Sequence, residues 1–218
     1  MIMPFIEIMT VALLAGAASG EKPSAIAWYT QIGFWHLQKD SLSGKFFLFH
    51  NAHFDGAKSG QATANVRFNE GFVGIREFMG RIALGPAPAS AGLLVKNKQT
   101  AYLFFIKKGK GRDYLQICRR NKAGTASIFI APVTISDTVA LRLLVKKDSL
   151  NVIAGRTTAS MAKPSDFSGT QWIGFECLQG TVKVFEAAVA SEEGEMKETF
   201  DHASLINLHL EKMFHAKK

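Results

Sequence analysis

The segment that decides the fold is Trp172-Ile-Gly-Phe-Glu-Cys-Leu-Gln-Gly-Thr-Val-Lys-Val-Phe185, in which two alternating runs flank a turn at Gln179-Gly180. In the first run Ile173, Phe175 and Cys177 share one face, and the residues between them share the other. A period of two predicts β-strands, and a glycine turn between two such runs predicts an antiparallel hairpin.

The same period dominates the chain from Gly33 to about Ala190. The run Val139-Ala-Leu-Arg-Leu-Leu-Val-Lys146 alternates, and so does Tyr114-Leu-Gln-Ile-Cys-Arg119. Hairpin connections are expected at 109–112, 121–124 and 147–149. At least about six to ten short strands are expected, with no amphipathic helices between them. This pattern predicts an all-β, antiparallel two-sheet sandwich and argues against a βαβ fold.

The pattern changes near the C-terminus. From Glu195 to Phe214 apolar residues recur at helical spacing, namely Met196, Phe200, Ala203, Ile206, Leu210 and Met213. We therefore expect a C-terminal amphipathic helix over 191–218 after a sandwich over 21–190. Such a helix packs on the sandwich or docks a partner protein.

Composition and the N-terminus bear on the class of protein. The 218 residues carry a formal charge of +8 with 47% apolar and 20% charged residues, which is typical of a globular chain. The apolar stretch from Ile8 to Ala18 is too short to span a bilayer but fits the core of a signal peptide over 1–20. We expect a secreted or periplasmic protein whose mature form begins near Ala18 and has no transmembrane segment. The alternative is a buried N-terminal strand or helix, or a leader that stays attached.

Four segments carry a resemblance to a known superfamily. They are Phe34-Trp-His-Leu-Gln-Lys-Asp-Ser-Leu-Ser-Gly44, Ser90-Ala-Gly-Leu-Leu-Val95, Ala101-Tyr-Leu-Phe-Phe-Ile106 and the hairpin 172–185. In this order they resemble the strands of the concanavalin A-like lectin/glucanase jelly roll, particularly its laminin G-like members. The resemblance implies two sheets of about six or seven strands packed face to face, with a saccharide held on one sheet or its rim. It also makes calcium a candidate cofactor, and no other cofactor is expected.

The arrangement of acidic residues bears on catalysis. Glucanases of this superfamily place carboxylates in a Glu-x-Asp run, so that one attacks and another donates a proton. This sequence contains no Glu-x-Asp spacing. We therefore expect a non-catalytic module. A glycoside hydrolase with dispersed acids remains the alternative, with Glu176 as the candidate catalytic residue beside Glu70 and Glu77.

Strand alternation also predicts a saccharide site. If Leu103 and Phe105 face the core, Tyr102 and Phe104 face outward, and the neighbouring strands present further aromatic, amide and charged groups. Sugars need a flat aromatic ring and polar groups for their hydroxyls. The predicted site is Tyr102, Tyr114, Gln116, Trp172 and Glu176, with Arg81 or Arg142, provided that their strands are neighbours. The alternative is that a helix or loop covers these side chains.

The positive charge is concentrated in one region. A predicted polyanion surface consists of Lys107, Lys108, Lys110, Arg112, Arg119, Arg120 and Lys122. An acidic polysaccharide, a nucleic acid or an anionic membrane would be attracted to it, and a solvated strand edge is the alternative. Aromatic residues for stacking bases are sparse, so we expect no specific nucleic-acid binding.

Metal and thiol chemistry receive little support. His50, His53 and Asp55 form a His-x-x-His-x-Asp group that could ligate a metal, but three such residues in a loop also occur as solvated side chains. Alternation places Cys118 and Cys177 on different faces of their strands, so we expect no disulfide between them.

These patterns together favour a lectin-like module that binds carbohydrate, including an acidic polysaccharide. The alternatives are a carbohydrate-active enzyme and an interaction subunit that docks through the basic hairpin and the C-terminal helix.

Overall fold

The computed structural model describes residues 27–53, 60–61, 63–201 and 203–207, which form sixteen β-strands in two sheets and no helix. Sheet A contains β1 (Ala27–Ile32), β4 (Ala64–Phe72), β6 (Ala89–Lys96), β7 (Ala101–Lys108), β8 (Asp113–Asn121), β9 (Gly124–Val133), β13 (Gln171–Gln179) and β16 (Ser204–Asn207). Sheet B contains β2 (His36–Lys39), β3 (Phe46–Asn51), β5 (Glu77–Leu84), β10 (Val139–Val145), β11 (Ser149–Ala154), β12 (Thr157–Ala162), β14 (Thr181–Ser191) and β15 (Gly194–Glu198).

The strand order mixes distant parts of the chain. Sheet A runs β16-β1-β4-β13-β6-β7-β8-β9, and sheet B runs β12-β11-β10-β5-β14-β3-β2 with β15 beside β14. Every pair is antiparallel except β1 with β16. The prediction of an all-β, two-sheet jelly-roll sandwich is confirmed.

The core forms where the central strands of the two sheets meet. Phe175 of β13 packs against Trp28 of its own sheet and against Phe78 of β5 in sheet B, with ring centroids 5.8 Å apart in both pairs. Gly80 on β5 leaves the space for this ring, because a Cβ there would lie 2.5 Å from Phe175 Cε1. The predicted inward face of β13 is therefore confirmed, with Ile173, Phe175 and Cys177 all in the core.

The predicted orientation of β7 is wrong. Tyr102, Phe104 and Ile106 belong to the core between the sheets, whereas Leu103 and Phe105 lie in a second apolar cluster on the outer face of sheet A. All six residues from Ala101 to Ile106 are buried. A strand that is apolar on both faces carries no polar side to fix its phase.

The predicted C-terminal helix is wrong for Gly194–Glu198 and Ser204–Asn207, which form β15 and β16. Ser191 Oγ donates to the Gly194 carbonyl oxygen at 3.2 Å, and Gly194 has φ 131°, which turns the chain into β15. The following strand, β16, pairs with β1, so these two strands join opposite sheets. Residues 208–218, the rest of the predicted helix, lie outside the described residues.

The expected leader also lies outside the described residues, so cleavage near Ala18 and export remain predictions. Within the part of the chain that the structure describes, no helix has the length and hydropathy needed to cross a bilayer.

The two cysteines form no disulfide with each other, as predicted. Cys177 lies in the core between the sheets, and Cys118 lies in the apolar cluster on the outer face of the same sheet. Opposite faces of one sheet do not permit disulfide geometry.

We predict that Gly80→Ala destabilises the protein, because the new methyl group would collide with Phe175 and Leu93. Overpacking of this kind costs about 1–3 kcal/mol in the free energy of unfolding. Gly111→Ala is the matched control, since a Cβ at Gly111 meets no atom within 4 Å. Urea unfolding of both variants measures the difference, and equal stabilities would show that the sheets can separate to admit the methyl group.

Candidate functional site

A cavity of about 380 Å³ lies on the outer face of sheet A, and we call it the sheet A cleft. It crosses the sheet from β1 to β8 and is bounded by the β6–β7 and β8–β9 turns. Its lining comprises Gln31, Ile32, Asn65, Leu94, Lys96, Lys98, Gln99, Thr100, Ala101, Arg120, Asn121, Lys122 and Glu176.

A bidentate ion pair crosses the cleft. Arg120 on β8 donates to both carboxylate oxygens of Glu176 on β13, at 3.0 Å and 2.6 Å, although two strands separate β8 from β13. Arg120 Nε also donates to Thr125 Oγ1 at 3.1 Å. Glu176 is 0% exposed, so the guanidinium compensates a carboxylate that has lost its hydration. The pair therefore acts as a rigid polar floor.

Asn65 on β4 lies directly opposite Glu176 and supplies an unused acceptor. The residue is 5% exposed, and its Oδ1 accepts no hydrogen bond from any described residue. A buried carbonyl without a donor is unfavourable. A ligand hydroxyl that enters the cleft could supply the missing hydrogen bond.

The rim of the cleft is cationic. Lys96, Lys98 and Lys122 join Arg120 around the cavity, whereas Glu176 is the only carboxylate among the described residues of its lining. Gln31 and Gln99 add neutral amides. The excess of cations favours a ligand that carries negative charge.

The β6–β7 turn that carries Lys98 is fixed by hydrogen bonds. Asn97 Oδ1 accepts from the backbone N–H groups of Gln99 and Thr100, at 2.9 Å and 2.7 Å. Asn97 Nδ2 donates to the Asp166 carbonyl oxygen at 2.7 Å, and Thr100 Oγ1 donates to the Asp166 carboxylate at 3.0 Å. The turn is thus anchored to the loop between β12 and β13.

Asp166 also receives hydrogen bonds from Tyr102 and Arg119. Burial alone would raise the pKa of Asp166, but the donors Tyr102, Arg119 and Thr100 outweigh it and lower the pKa. Burial, followed by the hydrogen bond to Asp166, raises the pKa of Tyr102 to about 12. Hydrogen bonds to Asp166 and Tyr102 raise the pKa of Arg119. Tyr102 therefore supports the fold and is not at the outer face, which corrects its predicted place in a saccharide site.

The other predicted ligand residues are only partly brought together. Glu176 lines the cleft, and Trp172 lies opposite Lys96 on the neighbouring strand, with the Arg67 guanidinium 5.3 Å from its ring centroid. Tyr114 and Gln116 lie on β8 outside the cleft lining. Arg81 and Arg142 lie in sheet B, so the condition that their strands neighbour the others is not met.

The seven residues of the predicted polyanion surface form two groups. Lys107, Lys108, Lys110 and Arg112 surround the β7–β8 turn, whereas Arg119, Arg120 and Lys122 lie at the opposite end of β8. The six residues from Asp113 to Cys118 separate these groups by about 23 Å. Arg119 is paired with Asp166 and Arg120 with Glu176. Of the second group, Arg120 and Lys122 join Lys96 and Lys98 at the cleft, and Arg119 does not line it.

The predicted metal ligands do not form a site in the described residues, which contain no group of three metal-ligating side chains. His50 is fully buried, and its Nδ1–H donates to the Phe34 carbonyl oxygen at 2.6 Å. His53 is exposed, and Asp55 lies outside the described residues. The spacing of two histidines along the chain does not show that one of them faces the core.

The three candidate catalytic acids are separated. Glu77 in sheet B pairs with Arg142 at 2.7 Å, Glu176 in sheet A pairs with Arg120, and Glu70 is an exposed residue of β4. Their spacing along the chain gave no indication of these partners.

Sequence reasoning missed several cleft residues, chiefly Asn65, Gln31, Lys96, Lys98 and Gln99. The alternation of Ala64-Asn-Val-Arg-Phe-Asn69 could have placed Asn65 and Arg67 on an outer face. Only the pairing of β4 with β13 shows that this face is the one that carries Glu176.

The sequence matches no family model and no curated protein. Solved structures are similar in fold. The carbohydrate-binding module CBM66 from Bacillus subtilis is 12% identical, with 72% of this chain and 91% of that one covered and a TM-score of 0.53. A glycoside hydrolase family 16 endo-glucanase from Bacteroides ovatus is 10% identical, with 75% of this chain and 94% of that one covered and a TM-score of 0.53.

A third similar structure is the family 7 alginate lyase A1-II′, which is 13% identical, with 72% of this chain and 83% of that one covered and a TM-score of 0.50. All three are jelly-roll sandwiches of the concanavalin A-like lectin/glucanase superfamily. At these identities the similarity establishes the fold, and this chain therefore has the concanavalin A-like jelly-roll fold that its sequence resembles.

We predict that Arg120→Ala lowers the free energy of unfolding by about 2–3 kcal/mol, because it leaves the buried Glu176 carboxylate without a cation. Arg142→Ala is the matched control. Its ion pair with Glu77 is more exposed, with side chains 44% and 33% accessible, so we expect a loss below about 1 kcal/mol. Denaturant unfolding checks both values, and equal losses would contradict the role assigned to burial of Glu176.

A second prediction concerns alkaline pH. The folded pKa of Tyr102 is about 12 against 10.0 for the free side chain, so folding favours the neutral phenol. This contribution to stability is complete below about pH 10 and is lost as the pH rises towards about 12. When the pH is raised from 9 to 11, the free energy of unfolding should therefore fall less in Tyr102→Phe than in the parent protein. Urea unfolding at each pH measures this difference. Parallel profiles for the two proteins would refute the assignment.

Proposed function

We propose that this protein is a non-catalytic module that binds an acidic polysaccharide in the sheet A cleft. The observation that carries the proposal is the lining of that cleft. Four cationic side chains surround one carboxylate, which is itself held by Arg120. An anionic sugar polymer would meet cations at the rim and amide groups, including Asn65, on the floor.

Besides its cations, the sheet A cleft has polar groups that can form hydrogen bonds with sugar hydroxyls. Asn65 and Gln31 each carry an amide that can both donate and accept. Leu94 and Ala101 form an apolar part of the floor, against which the C–H groups of a sugar ring can pack. The proposed ligand is therefore a polymer of sugars with carboxylate or sulfate groups.

The state of Glu176 supports binding over hydrolysis. A retaining glycosidase holds two carboxyl groups about 5–5.5 Å apart, one of which attacks while the other transfers a proton. Both oxygens of Glu176 accept hydrogen bonds from Arg120, and no second carboxylate lies among the described residues that line the cleft. Glu176 thus serves here to orient Arg120.

The similar folds support a carbohydrate ligand in general terms. One similar structure is named as a carbohydrate-binding module, and the other two are named as an endo-glucanase and an alginate lyase. A ligand outside the cell fits the leader expected from residues 1–20, so we also propose that the protein acts as a secreted or periplasmic module.

The test compares two pairs of lysines. Lys98→Ser with Lys122→Ser removes two rim cations, and Lys108→Ser with Lys110→Ser is the matched control at the far turn. Titration calorimetry with polygalacturonate should show about tenfold weaker binding for the first variant, or about 0.7 kcal/mol for each lost cation. The control should retain the parent affinity.

Three results would contradict the proposal. Equal losses in both double variants would indicate a general response to charge. Equal binding of neutral dextran would exclude charge recognition in the cleft. Hydrolysis products that disappear in Glu176→Gln would show that the protein is an enzyme.

A further inference from the structure

A second cavity, of about 440 Å³, lies on the outer face of sheet B, and we call it the sheet B cavity. Strands β3, β5 and β14 supply its floor, and the segment after β14 supplies its wall. Arg81, which sequence reasoning assigned to the same site as Glu176, lines this separate cavity.

Arg81 is held in place by an aromatic ring and by a long ion pair. Its guanidinium carbon lies 5.6 Å from the ring centroid of Phe185, and its Nε lies 3.7 Å from a carboxylate oxygen of Glu186. Its Nε is buried and donates no hydrogen bond to another described residue. An arginine fixed by an aromatic ring and a carboxylate offers a planar fork of donors to a ligand.

The cavity holds more cations than carboxylates, since Lys45, Arg81 and Lys197 line it with Glu186 and Asp201. Glu186 also accepts from Lys197, with a separation of 3.0 Å, so that carboxylate already has a close cationic partner. Lys45 lines the same cavity and has no ion-pair partner among the described residues. The cations that remain available, Arg81 and Lys45, point to an anionic ligand group.

The wall of the cavity is rigid on one side. Phe200 is fully buried and packs on Trp28, with ring centroids 5.5 Å apart. Its backbone has φ 66°, which is uncommon for a residue other than glycine. On either side of it, Thr199 and Asp201 line the cavity and are joined by a hydrogen bond of 2.9 Å. Core packing of Phe200 therefore holds this wall of the cavity in place.

We propose that the sheet B cavity binds the carboxylate or sulfate group of an acidic saccharide, with Arg81 as the bidentate donor. The proposal rests on the proposed function only for the class of ligand. The two sites lie on outward faces of a sandwich whose sheets pack about 10 Å apart, so one sugar unit cannot occupy both. A single chain is consequently bivalent and bridges two polysaccharide molecules.

The experiment measures bridging directly. Polygalacturonate is immobilised on a sensor surface, the full chain is captured, and fluorescent polygalacturonate is then added. We expect the captured parent protein to bind the labelled polymer. Arg81→Ala should be captured through the sheet A cleft but should bind about tenfold less labelled polymer. Dextran sulfate in place of the labelled polymer distinguishes sulfate from carboxylate, and neutral dextran should not bind.

Arg142→Ala is the matched control, because Arg142 lies on sheet B but outside the cavity and should bridge like the parent. If Arg81→Ala proves unstable in thermal unfolding, Arg81→Lys keeps the charge, removes the planar fork and should also lose bridging. Bridging that persists in both Arg81 variants overturns the inference. This includes the case in which light scattering shows that the protein is a dimer, because a dimer can bridge two polymers through its two sheet A clefts.

The outcome also separates this inference from the proposed function. Normal capture without bridging overturns bivalency alone. A third outcome is that the Lys98→Ser and Lys122→Ser double variant is captured normally, whereas Arg81→Ala is not captured. The sheet B cavity would then be the sole site, and the role proposed for the sheet A cleft would be overturned. Failure of the parent to be captured on any acidic polymer overturns both.

Discussion

The insertion of Phe175 into the space beside Gly80 is the contact on which the architecture depends. It joins the central strand of one sheet to the central strand of the other, where a Cβ on Gly80 would come within 2.5 Å of the ring. Because side chains alternate along a strand, an inward Phe175 obliges Glu176 to face outward. The packing of the core thereby determines which face of sheet A receives the carboxylate of the cleft.

That carboxylate in turn determines the electrostatics of the outer face. Glu176 has no access to solvent, and a buried charge requires a close partner. Arg120 satisfies both of its oxygens, and the lysines at the rim are left as the uncompensated charges. On sheet B, Glu186 has a similar effect, since it accepts from Lys197 and leaves Arg81 with unused donors. In both places one internal carboxylate organises cations that remain available to a ligand.

The sequence was sufficient for the sandwich but not for its cleft. Alternation identified the inward faces of β8 and β13 because each of these strands has one polar side. It failed for β7, which is buried on both sides, and for β15 and β16, where apolar residues at helical spacing belong to strands that pair with different sheets. Glu176 and Arg120 were both recognised as candidates, but in separate roles. Their contact follows from the order β13-β6-β7-β8, in which strands far apart in the chain are neighbours, and no local pattern encodes such an order.

The placement of the two thiols has a consequence for where the protein can fold. Cys118 and Cys177 are buried on opposite faces of one sheet, so the native state has no covalent cross-link to gain or lose. Formation of the native state therefore requires no oxidation of thiols. The native fold consequently does not depend on an oxidising compartment or on a thiol oxidase to form a cross-link.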